Sequence, residues 1–110
     1  SNSNESDRRR YERIDGAGSR ARLRASGHDE TEVTIEDISR GGIAVRCDWP
    51  VSVGAELTIR LPGATDQVMG RVARTGRGLI AVTFRQDNTT LEQIDRALDT
   101  IERLRSPKAA

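Results

Sequence analysis

Between residues 20 and 85 the apolar positions fall at every second residue in short runs, and beyond residue 90 they switch to every third or fourth. The first period is that of a half-buried β-strand and the second that of an amphipathic helix. Residues 20–25 put Ala21, Leu23 and Ala25 on one face and Arg20, Arg22 and Arg24 on the other. Gly27-His28-Asp29-Glu30 reads as a turn, and residues 31–38 as a second strand with Val33 and Ile35 on one face. Ile38 is out of step with them, which predicts either a bulge near Glu36-Asp37 or the end of the strand there. A third strand opens at Gly41-Gly42, carries Ile43, Val45 and Cys47 on one face and stops at Trp49-Pro50. A fourth follows Gly54, with Leu57, Ile59 and Leu61 inward, and Pro62-Gly63 turns the chain. Residues 67–74 and 79–85 are the fifth and sixth strands, and Gly76 and Gly78 between them suit a hairpin. Six short, evenly spaced strands predict an all-β fold, an antiparallel barrel without open edges. Leu91, Ile94, Leu98, Ile101 and Leu104 lie at helical spacing and predict a C-terminal helix over 88–106, capped by Asn88 or Thr89, with Pro107 just past its end. Its apolar stripe suits packing on the barrel or dimerisation.

At 110 residues the chain suits one domain. Residues 1–7 contain no apolar side chain and read as a flexible leader. The 18 basic and 17 acidic residues leave a net charge of +1, which argues against a general nucleic-acid binder. The distribution is more informative. Seven arginines fall between Arg8 and Arg24 against only Glu12 and Asp15, and Lys108 is the sole lysine. A GC-rich genome accounts for arginine use across the chain but not for that cluster. Arginine presents a planar fork suited to carboxylates, phosphates and guanine edges.

Cys47 is the only cysteine and His28 the only histidine. No internal disulfide, zinc site or Cys-His nucleophile can be built from them, and a cytoplasmic location fits. No apolar run reaches transmembrane length and no signal peptide is visible, so no membrane insertion is expected. The chain opens Ser1-Asn2 with its only methionine at Met69, which leaves room for a larger parent protein. No metal or cofactor is expected.

Three features carry candidate chemistry. Arg9-x-x-x-Arg13, flanked by Arg8 and Arg10, approaches the first strand; Asp37-Ile38-Ser39-Arg40-Gly41-Gly42 occupies a strand-to-strand turn; and Arg74 lies near the end of the fifth strand. A guanidinium can grip guanine O6 and N7, clamp a phosphate or stack on a base. Ionised Asp37 suits the N1–H and N2–H₂ edge of guanine. The Ser39 hydroxyl and the N–H groups of Gly41 and Gly42 can reach phosphate oxygens, and glycine permits close backbone approach. Together they suit a ligand that has both guanine and phosphate. Spacing alone also leaves open a solvated arm beside a structural turn.

The joint placement resembles the PilZ family: Arg-x-x-x-Arg at the domain entrance, then Asp-x-Ser-x-x-Gly at the start of a strand. Asp7 through Ile14 looks like that family's entry segment, and Val68–Arg74 with Ala81-Val82-Thr83-Phe84 resembles its later hairpin. The resemblance implies a six-stranded PilZ-type barrel over residues 8–87, arginine arm included, that is not an enzyme and binds the bacterial second messenger cyclic di-GMP. The implied ligand residues are Arg8, Arg9, Arg10, Arg13, Asp37, Ser39, Gly41, Gly42 and Arg74. An arginine before the first motif arginine, as Arg8 is, implies two cyclic di-GMP molecules per domain. Many family members stack an aromatic residue of the later hairpin on a guanine, and Arg74 stands near that place here. The implied partner is a downstream protein or a parent enzyme domain, reached through ordering of the arginine arm. Two alternatives are a PilZ-fold interaction module that binds no nucleotide and a barrel that binds single-stranded oligonucleotides. The second is disfavoured by near-zero net charge and a lack of stacking aromatics. Cys47 is expected in the core, Trp49 at a strand end, and His28 in solvent. Asp29-Glu30-Glu32 reads as a solvated face, not a catalytic pair.

Overall fold

The computed structural model describes residues 12–105. Among these residues seven strands and one helix follow in order: β1 (Ile14–Asp15), β2 (Arg20–Ala25), β3 (His28–Ile38), β4 (Gly42–Arg46), β5 (Glu56–Arg60), β6 (Val68–Gly76), β7 (Leu79–Phe84) and α1 (Asn88–Arg105). Every pairing is antiparallel. The sheet runs β1-β3-β2-β5-β6-β7-β4, and pairing of β3 with β4 closes β2 through β7 into a six-stranded barrel. The barrel is the one the alternation predicts and the C-terminal helix the one the three-and-four spacing predicts; the two-residue β1 is additional.

Of the two alternatives at Glu36-Asp37, a bulge or the end of the strand, the structure has the bulge. Ile35 pairs with Val45 and Asp37 with Ala44, so Glu36 is the extra residue on β3. The insertion lets Ile35 and Ile38, three apart in sequence, both enter the core, at 2% and 0% exposure. The first turn is shorter than expected. Ala25 pairs with His28 and only Ser26-Gly27 turns the chain, with Gly27 at φ 83°. His28 is therefore not a solvated turn residue. It opens β3 and stacks on Trp49, with ring centroids 4.5 Å apart.

β1 lies in line with β2 along the same edge of β3. Ile14 pairs with Ile38, Arg20 pairs with Thr34, and residues 16–19 bridge the gap. Gly16 N–H donates to Glu36 O, Ser19 N–H to Gly16 O, and Ile35 N–H to Ser19 O. A Cβ at Gly16 would lie 2.1 Å from the Ile35 carbonyl oxygen, so only glycine fits against β3 there. This detour ends the arm on a defined register of β3.

At the far end of the chain, α1 covers the barrel. Ile94, Ala97, Leu98 and Ile101 join the core, and each fully buried leucine or isoleucine contributes roughly 1.5–3 kcal/mol. Leu104 is 54% exposed, so the apolar stripe stops at Ile101. Buried Gln93 accepts from the Thr65 and Asp66 amides through Oε1 and ties α1 to the β5–β6 loop. The cap is Asp87, one residue before the expected Asn88 or Thr89. Its carbonyl accepts from Leu91 N–H, and its Oδ1 accepts from the Thr90 hydroxyl at 2.6 Å. A carboxylate also complements the positive helix N-terminus.

The Thr90 hydroxyl bond holds the Asp87 carboxyl below its ordinary value of 3.8. A carboxylate whose folded value is depressed stabilises the fold above the unfolded value and loses that contribution as pH falls through the folded one. Asp87→Ala should accordingly lower the melting temperature at neutral pH, and its difference from wild type should vanish in strong acid. A thermal-melt series against pH checks this, and a difference that persists at the acid end would contradict it.

The β6–β7 hairpin closes through Arg77-Gly78, because Gly76 pairs with Leu79. Arg77 and Gly78 both have positive φ, 56° and 76°, as a type I′ turn requires. A side chain in the left-handed region costs roughly 1–2 kcal/mol, so Arg77 is held there at a penalty that Gly78 does not incur.

Candidate functional site

The bulge and the closure of the barrel together assemble the site. Strand register sets Asp15, Asp37, Ala44, Ala81 and Arg74 in one transverse row across β1, β3, β4, β7 and β6. Ile43 and Val45 point inward on β4, as do Ile80 and Val82 on β7, so Ala44 and Ala81 face outward. The neighbouring row contains Gly42, Thr83, Arg71 and Glu56. Small side chains at Gly42, Ala44, Ala81 and Thr83 leave a shallow floor bounded by Asp37 on one side and by Arg71 and Arg74 on the other. A groove of about 410 Å³ lies over Ala44 and Ala81, with Arg74, Thr75, Arg77 and Leu79 around it. That volume is within the range of small-molecule sites.

Arg13 reaches the Asp37 end of the row. Its Nε donates to Asp37 Oδ1 at 2.6 Å, across 24 residues of sequence. The side chains are 47% and 34% exposed, so the pair is solvent-screened and contributes at most about 1 kcal/mol. Both groups are therefore available to a ligand at little cost. Arg8, Arg9 and Arg10 lie outside the described residues.

Ser39 and Gly42, expected from the sequence as ligand contacts, have structural duties. Ser39 is 3% exposed, and its Oγ accepts from the Gly41 and Gly42 amides at 3.2 and 3.3 Å. Its own N–H donates to Gly42 O, and Gly41 O accepts from Phe84 N–H. A Cβ at Gly42 would stand 2.5 Å from Val82 O, because β4 and β7 approach too closely for any side chain. The turn is thus a preformed ring of backbone groups next to Asp37.

Arg40 leaves that turn in another direction. Its Nη2 donates to Asp95 Oδ2 at 3.2 Å and its Nε lies 3.2 Å from Asp95 Oδ1, a two-point contact between the turn and α1. The Gln86 side-chain amide donates to Arg40 O from the segment before α1. Neither this link nor the alanine floor was anticipated from the sequence. The floor had a readable signal: Ala44 and Ala81 each occupy the outward position between two core residues, where a surface strand usually carries a larger polar side chain. Arg40 and Asp95 are 55 residues apart and gave none.

The arrangement can hold a planar base over the floor, pair its donors with Asp37 and neutralise an attached anion with Arg13 and Arg74. Among the described residues no group of three or more His, Cys, Asp or Glu could hold a metal ion. No helix among them is long and apolar enough to cross a membrane.

The PilZ domain family matches this chain over residues 7–100. No curated protein matches the sequence. Among solved structures, the PilZ domain of CeSA from a cellulose-synthesizing bacterium is similar at 27% identity, with a TM-score of 0.64 over 86% of this chain and 98% of that one. The PilZ domain with c-di-GMP of YcgR from Escherichia coli has 15% identity and a TM-score of 0.65, covering 93% and 97%. The PlzA protein of Borreliella burgdorferi in complex with c-di-GMP has 15% identity and a TM-score of 0.54, covering 86% and 43%.

Proposed function

The chain belongs to the PilZ domain family, and on that premise we propose that it is a cytoplasmic receptor for cyclic di-GMP and not an enzyme. The observation that carries this reading is the meeting of Arg13 with Asp37 at one end of a floor of small side chains whose other end carries Arg74. Asp37 accepts from the Watson–Crick edge of guanine, and Arg13 leaves it for a phosphate oxygen or for O6 and N7. Arg8, Arg9 and Arg10 add further forks, and Arg74 stacks on or clamps the base. The turn built by Ser39, Gly41 and Gly42 fixes Asp37 in place. Arg8 and the two adjoining rows of small residues favour two ligands per domain.

Ligand binding orders the arginine arm over the barrel and presents the altered surface to a protein partner or a parent enzyme domain. The Arg40–Asp95 contact gives the same turn a second connection, to α1.

Isothermal titration with cyclic di-GMP tests the proposal. A dissociation constant of about 1 μM or tighter and roughly two ligands per chain are expected. GTP and single-stranded oligonucleotides should give little heat. Absence of heat with cyclic di-GMP would favour the interaction module without nucleotide, and tight, steeply salt-dependent oligonucleotide binding would favour the single-strand binder.

A further inference from the structure

Position 77 is the first central residue of a type I′ turn, where asparagine, aspartate or glycine is favoured because φ must be positive. The chain places an arginine there at φ 56°. Nothing local repays the strain: among the described residues the Arg77 guanidinium has no hydrogen bond or ion pair. The turn is nevertheless tightly held, since Cys47 N–H donates to Gly78 O at 2.8 Å and pins the hairpin tip beside β4. Residues kept in sparsely populated backbone regions by surrounding structure cluster at ligand sites. Arg77 lines the groove over Ala44 and Ala81 together with Arg74, and among the described residues no acidic one lines it. The groove is therefore cationic, with an uncharged floor.

We infer that Arg77 is a ligand-contacting residue. Its guanidinium donates to a phosphodiester oxygen of the nucleotide whose base lies over Ala44 and Ala81. The inference rests on the cyclic di-GMP reading and adds a contact from the hairpin tip, at the Arg74 end of the floor. An arginine suits this rim position because its long side chain and fork can meet a phosphate that remains partly in solvent.

Arg77→Asn separates the two roles of the position. Asparagine favours the type I′ turn, so the variant should melt at a higher temperature than wild type while its affinity for cyclic di-GMP falls about 5- to 20-fold. Its affinity should also depend less steeply on salt. Arg77→Lys keeps the charge and the strain, and should bind with intermediate affinity at an unchanged melting temperature. Calorimetric titration and thermal melts of the three proteins, with Asp37→Ala alongside, decide the matter. Wild-type affinity in Arg77→Asn, with Asp37→Ala still impaired, would overturn the Arg77 contact and leave the receptor reading standing. No binding by the wild type would overturn both.

Discussion

Asp37→Ala is expected to weaken cyclic di-GMP binding by roughly 30- to 150-fold while barely changing the stability of the free protein. Asp37 is the acidic group that adjoins the small-residue floor beside the preformed turn, and Asp15, next in the row, already accepts from Ala17 N–H, so the donors of a guanine edge have no ready substitute acceptor there. Hydrogen bonds to a charged group contribute about 1.5–3 kcal/mol, and losing a two-point contact at the upper end of that range gives the expected fold-change. Among the described residues the free protein forfeits only the screened Arg13–Asp37 pair. Titration and thermal melting on the same preparation test both halves. Unchanged affinity would remove Asp37 from the site, and a large drop in melting temperature would make it a structural residue instead.

Gly42→Ala should behave in the opposite way, destabilising the protein before any ligand is added. The new Cβ would fall 2.5 Å from Val82 O, a backbone atom that moves only if β4 and β7 separate. Both strands carry fully buried side chains, among them Ile43, Val45 and Ile80. Forced overpacking of this kind costs about 1–3 kcal/mol, and the rigid backbone contact places Gly42→Ala near the top of that range. The melting temperature without ligand should fall by roughly 10–20 °C, as measured by scanning fluorimetry. An unchanged melt with lost binding would mean that the glycine serves the ligand alone. The two positions of one short motif thus differ in kind: among the described residues the Asp37 side chain makes only a screened ion pair, whereas Gly42 is required by the barrel.

Much of the fold was legible because strand geometry is local. Alternation exposes which side of a strand is buried, so Leu23, Ile43, Ile59 and Ile80 could be assigned to a core from sequence alone, and the misfit of Ile38 marked a bulge or a strand end, which the register of β3 with β4 resolves as a bulge at Glu36. The helix was equally readable from Ile94, Leu98 and Ile101. Boundaries were less so. His28 entered β3 because a two-residue turn sufficed, and Asp87 displaced Asn88 and Thr89 as the cap because a charged acceptor serves the helix N-terminus better. β1 was hidden because two residues, Ile14 and Asp15, carry no measurable period; they pair with β3 ahead of the detour at Gly16–Ser19.

The candidate site divides along the same line. The sequence by itself determined which groups are present, namely an arginine-rich entry segment, a carboxylate before a Ser-x-x-Gly turn, and an arginine on the last hairpin, and it limited the ligands they suit. Only the closed barrel decided that Arg13 meets Asp37, that Ala44 and Ala81 form a floor leading to Arg74, that Arg77 stands at its rim, and that Arg40 reaches Asp95. Alternation and turn chemistry act between neighbours in the chain, whereas these contacts join residues brought together by register across the strands and by the docking of α1, which no local pattern encodes.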